Sequence, residues 1–275
     1  MNISTPQTLT PKISCLCVTC DRWDCLQRAF DCYIKQTYPN KELVIVTEGS
    51  QAYKNQIAKY IQAAKRDDVK TVFLTGDYIL GTLRNQSLAA ATGAYVCQWD
   101  DDDLNHSTRL QTQFTHMQAQ GADASFFTDQ LQYFWPTKEL FWSDWTQGLP
   151  ETADKKLQLI PGTLMAKKSI MPDYPETGEF ARAGEDSYLL DALYRSGISI
   201  GRLRGQGFLY VYCFYNEKNT FSYVHHRCIP LLRACTRDFF AQKRSMLEAA
   251  IKEYPLPEGT LFYLMNLKPI DIEQG

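Results

Sequence analysis

Four consecutive aspartates, Asp100 to Asp103, follow directly on the apolar run Ala94-Tyr-Val-Cys-Gln-Trp99. The run reads as a short buried strand, with the carboxylates emerging at its C-terminal end. In open α/β sheets, ligands bind at that edge. Two carboxylates about 4 Å apart repel by roughly 4 kcal/mol at an effective dielectric of 20. Water relieves this strain in a solvated acidic turn, which is one reading of the run. A hard divalent cation with oxygen ligands relieves it too, and the position behind a buried strand favours that second reading.

Three other segments carry groups suited to the same chemistry. Gly81-Thr-Leu-Arg84-Asn85 opens a helix, whose free N–H groups suit an anion. Arg84, read into the first turn, would add a fork of donors to a phosphate, or would simply sit on the helix surface. Gly184-Glu185-Asp186 stands immediately before another helix, where the dipole favours carboxylates. There an Asp serves either as an N-cap or as a general base facing the cleft. His225 and His226 lie side by side; imidazole is a good ligand for transition metals, and adjacent side chains point apart, so at most one would reach an ion. A buried, hydrogen-bonded histidine is the alternative.

The elements that must position these groups alternate through the first hundred residues. Strands are expected over Lys12 to Thr19, Glu42 to Thr47, Val69 to Thr75 and into the aspartates. Helices are expected over Trp23 to Gln36, Lys54 to Ala64 and Gly81 to Ala91, from apolar spacing near 3.6. Such β-α-β alternation implies a mostly parallel sheet with helices on both faces. Its C-terminal rim gathers Thr19 to Asp21, Thr47 to Ser50 and Asp100 to Asp103. Beyond Asp103 the pattern predicts a helix over Leu104 to Gln120 and antiparallel strands over Ser125 to Phe134 and Leu140 to Trp145. Strands over Leu157 to Ala166 and Phe208 to Phe214 follow, with helices over Asp186 to Ser196 and Ile229 to Tyr254.

Composition bounds the function. The 275 residues carry a net charge of −2 and are 44% hydrophobic, which supports a substantial core and gives no general footprint for nucleic acid. No run of about 20 apolar residues predicts a membrane span. The polar start MNISTPQTLTPK lacks the pattern of a secretory signal. The nine cysteines read as reduced thiols of a cytoplasmic protein, because Cys17-Val-Thr-Cys20 has no second CxxC partner for zinc.

Taken in order, the motifs resemble those of family-2 glycosyltransferases with the GT-A fold. Val18-Thr19-Cys20-Asp21-Arg22 is similar to the family's Thr-Tyr-Asn-Arg-like turn, and Thr47-Glu48-Gly49-Ser50 to its Asp-Asp-Gly-Ser-like motif. Leu83-Arg84-Asn85 resembles Ala-Arg-Asn, Trp99 to Asp103 resembles Leu-Asp-x-Asp-Asp, and Glu185-Asp186 resembles the acceptor-side acidic pair. Cys20 stands where an aromatic often stacks near the base, and Glu48 replaces the usual Asp beside uracil.

The resemblance implies an α/β GT-A fold: a mostly parallel nucleotide-binding sheet, a smaller antiparallel acceptor-side sheet and a C-terminal helical appendage. The glycosyltransferase domain would span residues 1–226, with a nucleotide-binding half of about 11–103, an acceptor-side half of about 104–226 and an extension over 227–275. By position, Thr19, Asp21 and Glu48 would line base and ribose, and Arg84 would approach the diphosphate. Asp100 and Asp101 would sit near ribose and metal, with Asp102 the most direct ligand to Mn²⁺ or Mg²⁺. Asp186 would be the catalytic base, supported by Glu185, and His225 or His226 would contact metal or diphosphate. The implied reaction is inverting transfer from a nucleotide-diphosphate sugar, UDP-sugar favoured, to a glycan or lipid-linked acceptor, as in polysaccharide biosynthesis.

Tyr133-Phe-Trp135, Phe141-Trp142 and Trp145 serve either as core or as sugar-stacking faces. The C-terminal helix, with Arg233, Arg237, Lys243 and Arg244 beside Leu231, Leu232, Phe239 and Phe240, either packs on its own domain or rests peripherally on the inner face of a membrane. Two rival functions are a catalytically silent nucleotide-sugar-binding module and a sugar-phosphate nucleotidylyltransferase. The second normally needs a Gly-rich loop where this chain has Cys20-Asp-Arg-Trp23.

Overall fold

The computed structural model describes residues 10–146, 153–215, 237–263 and 269–270. Its nucleus is a seven-stranded sheet in the order β10-β6-β9-β4-β1-β2-β3. The strands are β1 (Ile13–Val18), β2 (Lys41–Thr47), β3 (Val69–Phe73), β4 (Tyr95–Gln98), β6 (Ala124–Phe127), β9 (Met165–Lys167) and β10 (Ile200–Leu203). All pairings are parallel except those of β9 with β4 and β6.

Every residue of β1 is buried, as expected where helices cover both faces. The strand period of two divides its side chains. Ile13, Cys15 and Cys17 join Leu43 and Ile45 against α1 (Trp23–Ile34) and α2 (Gln51–Ala64). Leu16 and Val18 join Val44 and Val46 against α3 (Leu80–Ala90). The cysteines of β1 are thus core residues. All seven cysteines among the described residues are free thiols, and only Cys20 escapes full burial.

A second sheet has the order β13-β12-β8-β7-β11-β5. It comprises β5 (Leu104–Asn105), β7 (Asp129–Phe134), β8 (Glu139–Asp144), β11 (Tyr210–Phe214), β12 (Leu261–Tyr263) and β13 (Pro269–Ile270). The expected antiparallel pair is present as β7 and β8. The sheet is nonetheless mixed, because β11 runs parallel to β7 and β12 runs parallel to β8.

Several boundaries differ from expectation for visible reasons. The stretch read as one strand over Ser125 to Phe134 switches sheets at Thr128, whose N–H bonds Leu203 O of β10 at 3.0 Å. Leu157 to Ala166 is not a strand: Pro161-Gly162 breaks it into 3₁₀ turns at Lys155–Gln158 and Pro161–Thr163, leaving only β9 extended. The helix expected from Leu104 begins later, as α4 (Arg109–Ala119), after β5 has paired with β11.

The remaining helices are α5 (Glu185–Arg195) and α6 (Arg237–Ile251). Leu247, Ile251 and the following Tyr254 enter the main core. His106 Nε2 and Ser107 Oγ meet Glu253 at 3.1 and 2.7 Å. The C-terminal half of α6 therefore packs on its own domain. No helix among the described residues is long and apolar enough to cross a membrane.

Candidate functional site

The acid turn is built by the end of β4. Trp99 is fully buried and anchors the strand end through Nε1–H to Ala29 O at 3.0 Å. Beyond Gln98 the chain leaves the strand and turns at Asp101 and Asp102, and the four carboxylates meet different surroundings. Asp101 and Asp103 are buried, at 2% and 1% exposure, while Asp100 and Asp102 remain partly accessible.

Each carboxylate has a distinct partner set. Asp101 accepts from Thr19 Oγ1 at 2.7 Å and from Arg22 Nη2. Asp102 accepts from Arg22 Nη1 at 2.8 Å. Asp100 meets Arg84 Nη2 at 2.6 Å and accepts from Gln98 Nε2 at 2.8 Å. Asp103 accepts from the Tyr210 hydroxyl and from Cys213 N–H at 2.9 Å, tying the turn to β11. Burial pushes Asp101 up to about 7, against the opposing pull of Arg22. Burial raises Asp103 as well, with Asp102 and Asp100 adding to it.

Arg84 joins the two acidic segments. Its Nε donates to Glu185 Oε1 at 3.2 Å while Nη2 holds Asp100. Arg84 and Glu185 lie 101 positions apart in the chain. Both are buried, at 7% and 4% exposure, so the fork addresses protein carboxylates in a dry setting. Burial lifts Glu185 to about 7, Arg84 opposes, and Asp186 and Asp100 add to the rise. Because α3 starts at Leu80, Arg84 falls in its second turn rather than the first.

The close approach that permits this contact rests on a glycine. A Cβ at Gly81 would stand 1.8 Å from Pro175 O. Asn85 then clamps the same loop, donating to Tyr174 O at 3.0 Å and accepting from Tyr174 N–H at 2.7 Å. The Arg-Asn pair thus has two jobs: Asn85 fixes the loop before α5, and Arg84 grips the first residue of α5.

Asp186 follows Glu185 in the first turn of α5, where the helix dipole favours a carboxylate. It is half-buried, and Ser187 N–H donates to its Oδ1 at 2.6 Å. The N-cap position is taken by Gly184 at φ 81, so neither acidic residue caps the helix.

At the other end of the rim, Asp21 has φ 48. Its exposed carboxylate accepts from Ser50 N–H at 3.1 Å and Ser50 Oγ at 2.7 Å. Glu48, half-buried, accepts from Tyr78 N–H. Thr19 is 1% exposed, lies 2.6 Å from the Tyr53 hydroxyl and donates its own hydrogen bond to Asp101. The fold thereby brings Thr19, Asp21, Glu48 and Asp100 to Asp102 to the predicted rim, and Arg84 joins Asp100 to Glu185, the residue before Asp186. His225 and His226 lie outside the described residues. Among the described residues, no group of three or more His, Cys, Asp or Glu side chains is arranged to hold a metal alone.

Beside the acid turn, an open cleft of about 440 Å³ is lined by Asp21, Arg22, Asp24, Arg28, Trp135 and Tyr215 among others. Tyr215 donates to Asp102 O at 3.0 Å. Arg28 lies 4.7 Å from the Trp135 ring centre, and Trp135 stacks on Tyr215. Of the aromatic stretch between the motifs, Tyr133 and Trp142 are core and Trp135 is the one on this cleft. Arg22, Asn85 and Gln98 lie within the motifs but have no role legible in them, and Tyr53 and Tyr210 lie outside every motif. Arg22 had a readable signal, a cation at the end of the first strand facing an uncompensated acidic run.

Comparison with known proteins places this geometry in context. The model of the family described as Glycosyl transferase family 2 matches residues 14–167, more than half of the chain. The chain is 31% identical over 110 residues to the Escherichia coli protein named "Putative colanic acid biosynthesis glycosyl transferase WcaA", covering 39% of this chain and 38% of that protein. It is 33% identical over 91 residues to a cholesterol galactosyltransferase of Borreliella burgdorferi, covering 33% of this chain and 25% of that one. The aligned region thus spans well under half the length of these relatives. Among solved structures, S. aureus TarS 1–349 in complex with UDP-GlcNAc superposes with a TM-score of 0.60 at 18% identity, covering 90% of this chain and 68% of that one. At that identity the likeness is one of fold.

Proposed function

The chain belongs to glycosyl transferase family 2, and on that premise we propose that it transfers a sugar, with inversion, from a nucleotide-diphosphate sugar to an acceptor hydroxyl. A UDP-sugar is the favoured donor and a glycan or lipid-linked molecule the favoured acceptor. The observation that carries this reading is the Arg84 bridge, which joins the acid turn of β4 to the acidic pair of α5.

The donor set suits a hard cation shared with a diphosphate. Mg²⁺ commonly takes one or two carboxylates and fills its shell with waters and phosphate oxygens. Asp100 and Asp102 are the accessible carboxylates that would hold Mn²⁺ or Mg²⁺. Bound there, the ion supplies Lewis-acid stabilisation of the departing diphosphate. Thr19 and Asp101 keep the turn in shape from behind. Asp21 and Glu48, at the ends of β1 and β2, offer acceptors to ribose and base.

Asp186 accepts the proton of the acceptor hydroxyl as it attacks the anomeric carbon. Glu185, gripped by Arg84 and raised toward neutrality, positions the first turn of α5 and leaves the base role to its neighbour. General-base help is worth about 10²–10⁴-fold. Asp186→Asn should lose turnover on that scale while its donor affinity, read by calorimetry with UDP and Mn²⁺, stays near the wild-type value. Unchanged turnover would remove Asp186 from the mechanism.

A further inference from the structure

Arg22 holds a position that the proposed reaction leaves unexplained. Its guanidinium spans two neighbouring carboxylates, Nη1 to Asp102 Oδ2 at 2.8 Å and Nη2 to Asp101 Oδ1. Asp102 is also one of the two accessible carboxylates assigned above to the divalent ion. A fork bound to it and a divalent ion bound to it are both positive and repel. The two therefore compete for Asp102.

The geometry points to Arg22 as a resident counter-cation: it neutralises Asp101 and Asp102 while no donor is bound, and it swings into the adjoining cleft when a divalent ion takes its place. This inference rests on the proposal that the acid turn binds such an ion. Two observations identify Arg22, not Arg84, as the group that moves. Arg22 lines the cleft of about 440 Å³, which gives it room. That cleft also presents the exposed Asp21 and Asp24, a second pair of carboxylates for the displaced fork. Arg84, in contrast, is buried between Asp100 and Glu185 on a helix clamped by Asn85.

A resident arginine explains how an isolated acid turn avoids self-repulsion. It also predicts an energetic trade: the ion must displace an internal cation, so its binding is weak until the diphosphate adds its own charge.

The test measures Mn²⁺ binding directly, by the loss of the free-ion electron paramagnetic resonance signal, on the full chain without nucleotide. Arg22→Gln should bind Mn²⁺ at least tenfold more tightly than wild type. Its melting temperature should fall below wild type in a chelator and recover when Mn²⁺ is added. Arg22→Lys, which cannot span both carboxylates, should bind the ion with intermediate affinity, and it carries the test if the Gln variant does not fold. If Mn²⁺ binds wild type in the presence of UDP but the variants bind it no more tightly, the counter-cation role is overturned and the metal reading stands. If wild type binds no Mn²⁺ even with UDP, the metal reading itself falls and takes this inference with it.

Discussion

Arg84 is the residue on which most of the site depends. One guanidinium addresses Asp100 through Nη2 and Glu185 through Nε, a geometry that a lysine cannot reproduce. Removing one partner of a buried ion pair leaves an uncompensated charge and costs about 3–5 kcal/mol. Arg84→Met should therefore lower stability on that scale in urea titration. Arg84→Lys should fold and lose turnover by about tenfold or more, because the first turn of α5 is no longer held. An Arg84→Lys variant with wild-type turnover would show that the bridge does not position the base. At this scale the sequence disclosed which residue types gather at the rim but not their pairing. The neighbours of Arg84 come from segments with no sequence periodicity linking them, so its reading as a phosphate ligand could not be weighed against an internal bridge.

At the scale of elements, the site depends on how closely α3 approaches the loop before α5. Gly81 permits the contact with Pro175 O, and Asn85 locks it. Gly81→Ala would force the loop away. Overpacking of this kind costs about 1–3 kcal/mol, and the displacement should pull Glu185 from Arg84. The expected outcome is a lower melting temperature together with reduced turnover; an alanine variant matching wild type in both would show that the approach has slack. The first four strands and three helices were legible because short apolar runs alternate with stretches whose apolar residues recur at helical spacing. β10, β12 and β13 were not. The first is paired by β6 and the second by β8, partners distant in the chain. Leu157 to Ala166 looked strand-like by composition, but Pro161 and Gly162 decided its course.

Across the whole molecule, buried carboxylates tie stability to pH. Asp129, at the start of β7, is 2% exposed and accepts from Gln206 N–H at 3.1 Å and from Gly205 N–H. Burial pushes it from 3.8 up to about 7 despite those donors. A carboxyl raised in the folded state binds its proton more tightly there than in the unfolded chain. Its contribution is complete below the unfolded value and is lost as pH rises through the folded one. The stability of Asp129→Asn relative to wild type should thus improve as pH rises from about 4 to about 7, measured by urea unfolding at each pH. A constant difference across that window would show that Asp129 titrates normally. Sequence alone placed this residue in a strand. It could not reveal the burial, which arises only where the turn after β10 folds over β7.

The central claim is that the acid turn holds a divalent ion for a nucleotide-diphosphate donor. Calorimetric titration of UDP into the protein, with Mn²⁺ and then with chelator, tests it most directly. The account predicts binding that requires the ion and is lost in Asp102→Asn. UDP binding that is indifferent to both the ion and Asp102, or no binding under either condition, would contradict it.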